Sequence, residues 1–175
     1  SLMASAIAVA VVGCGSSSSG GSSDASSNTG GSAAAETGVF VDAAVVGINY
    51  TTSPGGLSGQ TNELGEYDYV PGDTVIFKIG GIELPSVEAT GRVTPADMGT
   101  GGADWSADPI VVNILRLLQT LDSDDDASNG ITIEESVHTA LKDIALDPNA
   151  SESDFETLAN TAISSTGKTL ISKTD

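Results

Sequence analysis

The sequence predicts an α+β fold, a small antiparallel β-sandwich followed by two or three helices. Three observations carry this. Apolar and polar residues alternate between Gly38 and Thr94, punctuated by turn residues, as in sheets built of short strands. The period becomes helical after Asp108-Pro109. A run of aspartates from Asp122 then separates two apolar stretches, so an acidic loop joins two helices.

The β region comes first. Val39 to Tyr50 reads as one strand, with Val46, Ile48 and Tyr50 on one face and Val45, Gly47 and Asn49 on the other. Ser53-Pro54-Gly55-Gly56 has turn chemistry. Tyr67 and Tyr69 then oppose Glu66 and Asp68, and Pro71-Gly72-Asp73 supplies another turn. Val75, Phe77 and Ile79 share a face, and Gly80-Gly81 makes a tight hairpin into Ile82 and Leu84.

The helices follow. Asp108 is an N-cap and Pro109 takes the first helical position, where a missing N–H costs nothing. Ile110, Val111, Ile114, Leu115, Leu117, Leu118 and Leu121 form a broad apolar face expected to pack on the β unit. A second helix carries Val137, Ala140, Leu141 and Ile144, with His138 expected on its exposed side. A third is marked by Ser151-x-x-Asp154, with Phe155, Leu158, Ala159, Ala162 and Ile163 on one stripe. Residues 164–175 are polar and expected to fray. Trp105, in a Gly/Asp loop, reads either as a ligand-stacking platform or as a plug at the edge of the core.

Composition narrows function. The 175 residues hold 6 Lys and Arg against 24 acids, for a net charge of −18. Phosphate binding depends on clustered cations, so nucleic acid is excluded as a partner. The acidity suits cations or a saline setting. With one cysteine, Cys14, and one histidine, His138, no disulfide forms within the chain and no Cys/His zinc site assembles. Any Ser-His-Asp triad would have to use His138.

Leu2 to Val12 is an unbroken apolar run, too short to span a bilayer, which takes roughly 20 residues. It ends in Val11-Val12-Gly13-Cys14, which resembles the lipobox of bacterial lipoproteins. The resemblance implies that residues 1–13 are a signal segment, N-terminally incomplete because no basic stretch precedes it, and that Cys14 is lipidated. Val11 stands where that family more often has Leu. Gly15 after the cysteine implies outer-membrane sorting in a Gram-negative envelope. Residues 14–37 are then a tether, nearly all Ser, Gly and Ala, a flexible coil of about 25 Å mean reach.

Asp42-Ala43-x-Val45-x-Gly47-x-x-Tyr50, with Gly59-x-Thr61-Asn62-x-x-Gly65-Glu66-Tyr67-x-Tyr69, resembles the carboxypeptidase-regulatory-like, transthyretin-like β-sandwich of exported proteins. That module is an accessory and brings no catalytic residues. Gly72-Asp73-Thr74-Val75-x-Phe77-x-Ile79-Gly80 and Val112 to Asp122 are similar to runs in large lipoproteins of Gram-negative bacteria. The reading divides the chain into a β unit over 38–94 and a helical region over 95–175 packed upon it.

The loop over 122–134 carries the chemistry. Asp122, Asp124 and Asp126 occupy alternate positions, Asn129-Gly130 turns the chain, and the Ile131 carbonyl and an acid at Glu134 or Glu135 follow. Calcium takes six to eight oxygens, and such spacing lets a curling loop aim several at one centre. The run resembles the calcium loops of EF-hand and dockerin modules, enlarged, with Ala127 where those have Gly and the closing acid late. The expected metal set is Asp122, Asp124, Asp126, Asn129, Ile131 and Glu134, holding a structural Ca²⁺.

Together these readings predict a non-catalytic, lipid-anchored envelope protein. Its expected partners are the membrane, through lipid on Cys14, and a protein or glycan surface. The alternative is a carbohydrate- or small-ligand-binding accessory module using Trp105, with Tyr50, Tyr67 and Tyr69 as further candidates. An enzyme would need paired carboxylates in a cleft, and the dense acids lie in the loop assigned to metal.

Overall fold

The computed structural model describes residues 33–173. The signal segment, Cys14 and most of the tether lie outside the described residues. Strands β1 (Glu36–Phe40), β2 (Val45–Val46), β3 (Asn49–Ser53), β4 (Ser58–Gln60) and β5 (Glu66–Tyr69) come first. Then follow β6 (Thr74–Ile79), β7 (Ile82–Glu83), β8 (Val87–Glu88) and β9 (Arg92–Val93). Helix α1 (Pro109–Leu121) leads through the acidic loop to β10 (Ile131–Thr132), and α2 (Glu135–Ala140) and α3 (Glu152–Ile163) complete an α+β fold.

The strands form a five-stranded sheet (β4-β3-β6-β7, with β8 on β6), a three-stranded sheet (β5-β1-β9) and the pair β10-β2. Pairing is not purely antiparallel. β9 runs parallel to β1 with Phe40 opposite Val93, and β10 runs parallel to β2 with Ile131 opposite Val45. The larger sheets meet through rings: Phe40 of β1 stacks on Phe77 of β6 at 4.2 Å, and Tyr67 of β5 meets Phe77 edge-on at 5.3 Å. Such ring pairs add about 0.5–1.5 kcal/mol beyond the area they bury.

Tyr67, Tyr69, Val75, Phe77, Ile79, Ile82 and Leu84 point inward as their spacing predicts. The first strand does not run unbroken. Gly47 adopts φ +77°, a left-handed conformation that L side chains avoid, and breaks the ladder between β2 and β3. The alternation changes phase there, so Val45 is buried before it and Ile48, Tyr50 and Thr52 after it, while Val46 is only half-buried.

Helix α1 starts as predicted, with the Asp108 carboxylate accepting the Ile110 N–H at 3.0 Å and Pro109 in the first turn. It is buried almost all round, and each fully covered Leu or Ile contributes about 1.5–3 kcal/mol. Its polar residues are spent on neighbours. Asn113 Nδ2 donates to the Pro148 and Ala150 carbonyls, both at 3.0 Å. Arg116 Nε donates to the Ile171 carbonyl at 2.8 Å, and its Nη2 meets Glu156 at 3.1 Å.

Three expectations are corrected here. Helix α2 stops at Ala140, and Leu141 packs into the core from the turn that follows. Residues 164–173 do not fray: Leu170 is buried and the Ile171 N–H donates to Thr120 Oγ1 at 3.0 Å. Leu158 leaves the α3 stripe for solvent, while Phe155, Ala159 and Ile163 stay buried. One apolar core takes side chains from both the strands and the helices. Among the described residues no helix is long and apolar enough to cross a membrane.

Candidate functional site

The acidic loop leaves the C-terminus of α1. Asp122 is its root and is buried, with 1 % exposure. Its Oδ1 accepts the Thr132 N–H at 2.8 Å, while the Ser123 N–H donates to the Thr132 carbonyl at 3.0 Å. The loop is thereby closed at its neck. Asp122 Oδ2 is equally buried and has no hydrogen-bond partner. A buried carboxylate oxygen without a donor or cation is costly, since desolvating a charge is offset only by a partner.

Beyond the neck the carboxylates fold the loop upon itself. Asp124 Oδ1 accepts the Asp126 N–H at 3.1 Å, and Oδ2 accepts from the Asn129 amide at 2.8 Å. The Asn129 bond and then the Asp126 N–H hold the Asp124 carboxyl below the usual carboxylate range; burial opposes them, and a close side-chain contact of hydrogen-bond type with the Asp122 carboxyl adds a smaller lowering. Asp126 Oδ1 accepts the N–H and hydroxyl of Ser128. Asp125 sits at φ +60°, the one positive value outside glycine among the described residues.

The expected metal set is therefore only partly assembled. Asp122 and Asp124 come together, and Asn129 joins Asp124 through its amide nitrogen, a donor rather than a ligand oxygen. Asp126 is engaged locally. Ile131 is drawn into β10, where its N–H donates to the Ala44 carbonyl at 3.0 Å. Glu134 precedes α2 and accepts from Ser136 at 3.2 Å, so it does not close the loop. Among the described residues no three His, Cys, Asp or Glu side chains form a metal-holding group. The cation that does reach the loop is Lys168, whose Nζ donates to the Asp122 carbonyl and to Asp125 Oδ1 at 2.6 Å. Nothing in the sequence pointed to Lys168, which lies 43 residues beyond Asp125 in a polar tail.

His138 is buried, not exposed. Its Nδ1 lies 3.0 Å from the Gly80 N–H donor and 3.0 Å from Asn49 Nδ2, so it accepts. Nε2 then carries the proton and donates to the Gly47 carbonyl at 2.8 Å. Both nitrogens serve the fold, which leaves neither for a triad.

The aromatic candidates separate. Tyr50, Tyr67 and Tyr69 are core residues and offer no stacking face. The Tyr67 hydroxyl donates to the Thr90 carbonyl at 2.7 Å and accepts the Thr90 N–H, and burial pushes its pKa up to about 12. Trp105 is 54 % exposed. Neither a protein-family model, nor a curated protein, nor a solved structure matches this chain.

Proposed function

We propose that this chain is a non-catalytic interaction module of a bacterial envelope, held by lipid on Cys14 and braced by a calcium ion at the neck of its acidic loop. The observation that carries the reading is the orphaned, fully buried Asp122 Oδ2 beside the Asp124 carboxyl. The ligating atoms there are carboxylate oxygens, which fits a hard cation, and water would complete the shell. The commitment of the sole histidine to structure supports a non-catalytic role. The β-sandwich resemblance supports an accessory part. The lipobox resemblance at Val11 to Cys14 supports anchoring.

Thermal melts in EDTA and in calcium test the metal. At tenfold saturation calcium raises Tm by about 3–6 °C, from the binding free energy and the melting behaviour of a domain this size. Asp122→Asn, which keeps an acceptor for the Thr132 N–H, removes the rise. An unchanged Tm in millimolar calcium sinks the reading. Intact mass of membrane-extracted protein tests the lipid.

A further inference from the structure

We infer that the surface around Trp105 is a binding site for a neutral saccharide. Trp105, the single tryptophan of the chain, is presented by a short capped turn, not a loose loop. The Asp104 carboxylate accepts the N–H and hydroxyl of Ser106, and the Asp108 N–H returns to the Trp105 carbonyl at 3.0 Å. The turn packs on α1, and the half-exposed indole borders Val111, Val112 and Leu115 of that helix. The half-exposed indole presents an apolar ring face beside two hollows, where a ligand ring can stack.

Hollows of about 440 Å³ and 180 Å³ lie at this ring, and Trp105 and Leu115 line both. The larger is edged by Gln119, Arg116 and Lys173, the smaller by Asp42 and Arg92. The Asp42 carboxyl bonds the Gln119 side chain, so one polar pair links the two hollows; burial raises the Asp42 pKa, and that bond opposes the shift. Ligand pockets combine an apolar platform with a few convergent polar groups in this way.

Charge selects the class of ligand. On a chain of −18, the smaller hollow opposes one cation, Arg92, to one acid, Asp42, and the two cations of the larger, Arg116 and Lys173, are already matched by Glu156 and Glu152. An anion meets Asp42 and a cation meets Arg92, so neither is favoured. A sugar carries no charge, its hydroxyls both donate and accept, and the C–H face of a pyranose ring stacks on an indole. No residue of this surface belongs to the acidic loop, so the inference stands apart from the calcium reading.

Trp105 also reports on its own site, because no other tryptophan contributes to the fluorescence. Cellotriose, maltotriose and mannotriose are titrated against the intact protein in calcium-containing buffer, with trigalacturonate as the charged comparison. The expected result is a saturable change with at least one neutral trisaccharide, of equal affinity at low and high salt. By calorimetry, Trp105→Ala weakens that binding by about tenfold or more, the loss typical of an aromatic anchor, with an unchanged melting temperature. Arg92→Gln, at an exposed side chain, weakens it without loss of fold. The inference is overturned if no neutral trisaccharide binds, if trigalacturonate binds more tightly than all of them, or if Trp105→Ala binds like the parent. Calcium-bridged binding at the acidic loop would show itself by surviving both substitutions, and would also overturn it.

Discussion

His138 donates from Nε2 to the Gly47 carbonyl at 2.8 Å, tying α2 to the glycine at which the β2–β3 segment changes phase. Its other nitrogen holds Gly80, at the tip of the β6–β7 hairpin. One ring thus joins a helix to two separate turns. His138→Ala leaves a half-buried N–H at Gly80 and a half-buried carbonyl at Gly47 without this partner, each costing about 1–2 kcal/mol. Urea unfolding should show a loss of about 2–4 kcal/mol. A change within about 0.5 kcal/mol, the range of an ordinary surface substitution, would mean that the staple is not made in solution.

Two glycines with left-handed backbones should answer differently to the same substitution. At Gly47 a Cβ would stand 2.4 Å from the Ile133 carbonyl oxygen, a backbone atom with no freedom to retreat. At Gly72, φ +94°, a Cβ would meet nothing within 4 Å. Gly72→Ala therefore carries only the cost of the strained dihedral, about 1–2 kcal/mol. Gly47→Ala adds a steric clash and should lower Tm by clearly more. Equal losses in parallel melts would count against the tight apposition of Gly47 and Ile133.

What the sequence made legible was local. The alternation of Tyr67 and Tyr69, the face shared by Val75, Phe77 and Ile79, and the Asp108-Pro109 start of α1 each depend on neighbours within a few residues, and each appears in place. Gly47 was misread because a glycine inside an alternating run looks the same whether it continues the strand or breaks it. The parallel pairings of β1 with β9 and β2 with β10 join segments far apart in the chain, which no spacing rule reaches. The same distance hid His138, whose partners lie 58 to 91 residues away, and the tail that brings Lys168 to the loop. In the loop itself the alternate aspartates were visible, but the same short polar side chains also fold back on their own backbone, and that use was not separable from metal binding.

Acid should unfold the protein through particular carboxylates. At Asp73 burial pushes the pKa up, but the N–H groups of Val70 and Gly55 and the Thr52 hydroxyl outweigh it and hold the carboxyl below its ordinary range. At Asp108 the Thr100 hydroxyl and N–H lower it, burial opposes, and the Ile110 N–H adds to the lowering. Groups depressed in the folded state bind protons first in the unfolded chain. Their stabilisation is complete above the unfolded value, about 4, and is lost as pH falls through the lower folded value. Tm should thus drop steeply below about pH 4. Asp108→Asn keeps an N-cap but no titrating group, so its deficit against the parent, measured by melts, should narrow as the pH falls. A deficit that stays constant down to about pH 2 would remove Asp108 from the account.

Lys168 and a calcium ion would compete for the same electrostatic ground. The ammonium is largely covered and donates to the Asp122 carbonyl and the Asp125 carboxylate, so without metal it is the nearest counter-charge to the loop's aspartates. Lys168→Met keeps most of the apolar stem and removes the charge. In EDTA the variant should melt lower than the parent, because the carboxylates then repel one another unscreened. In calcium the deficit narrows, since the ion no longer enters against a resident positive charge. A charge–charge interaction of about 1 kcal/mol corresponds to roughly a fivefold gain in calcium affinity. Calorimetric titration reads that gain directly, and the calcium-induced rise in Tm should be larger in the variant. If Lys168→Met lowers Tm equally in EDTA and in calcium, the lysine is a strut for the tail alone, and the neck of the loop does not admit the ion.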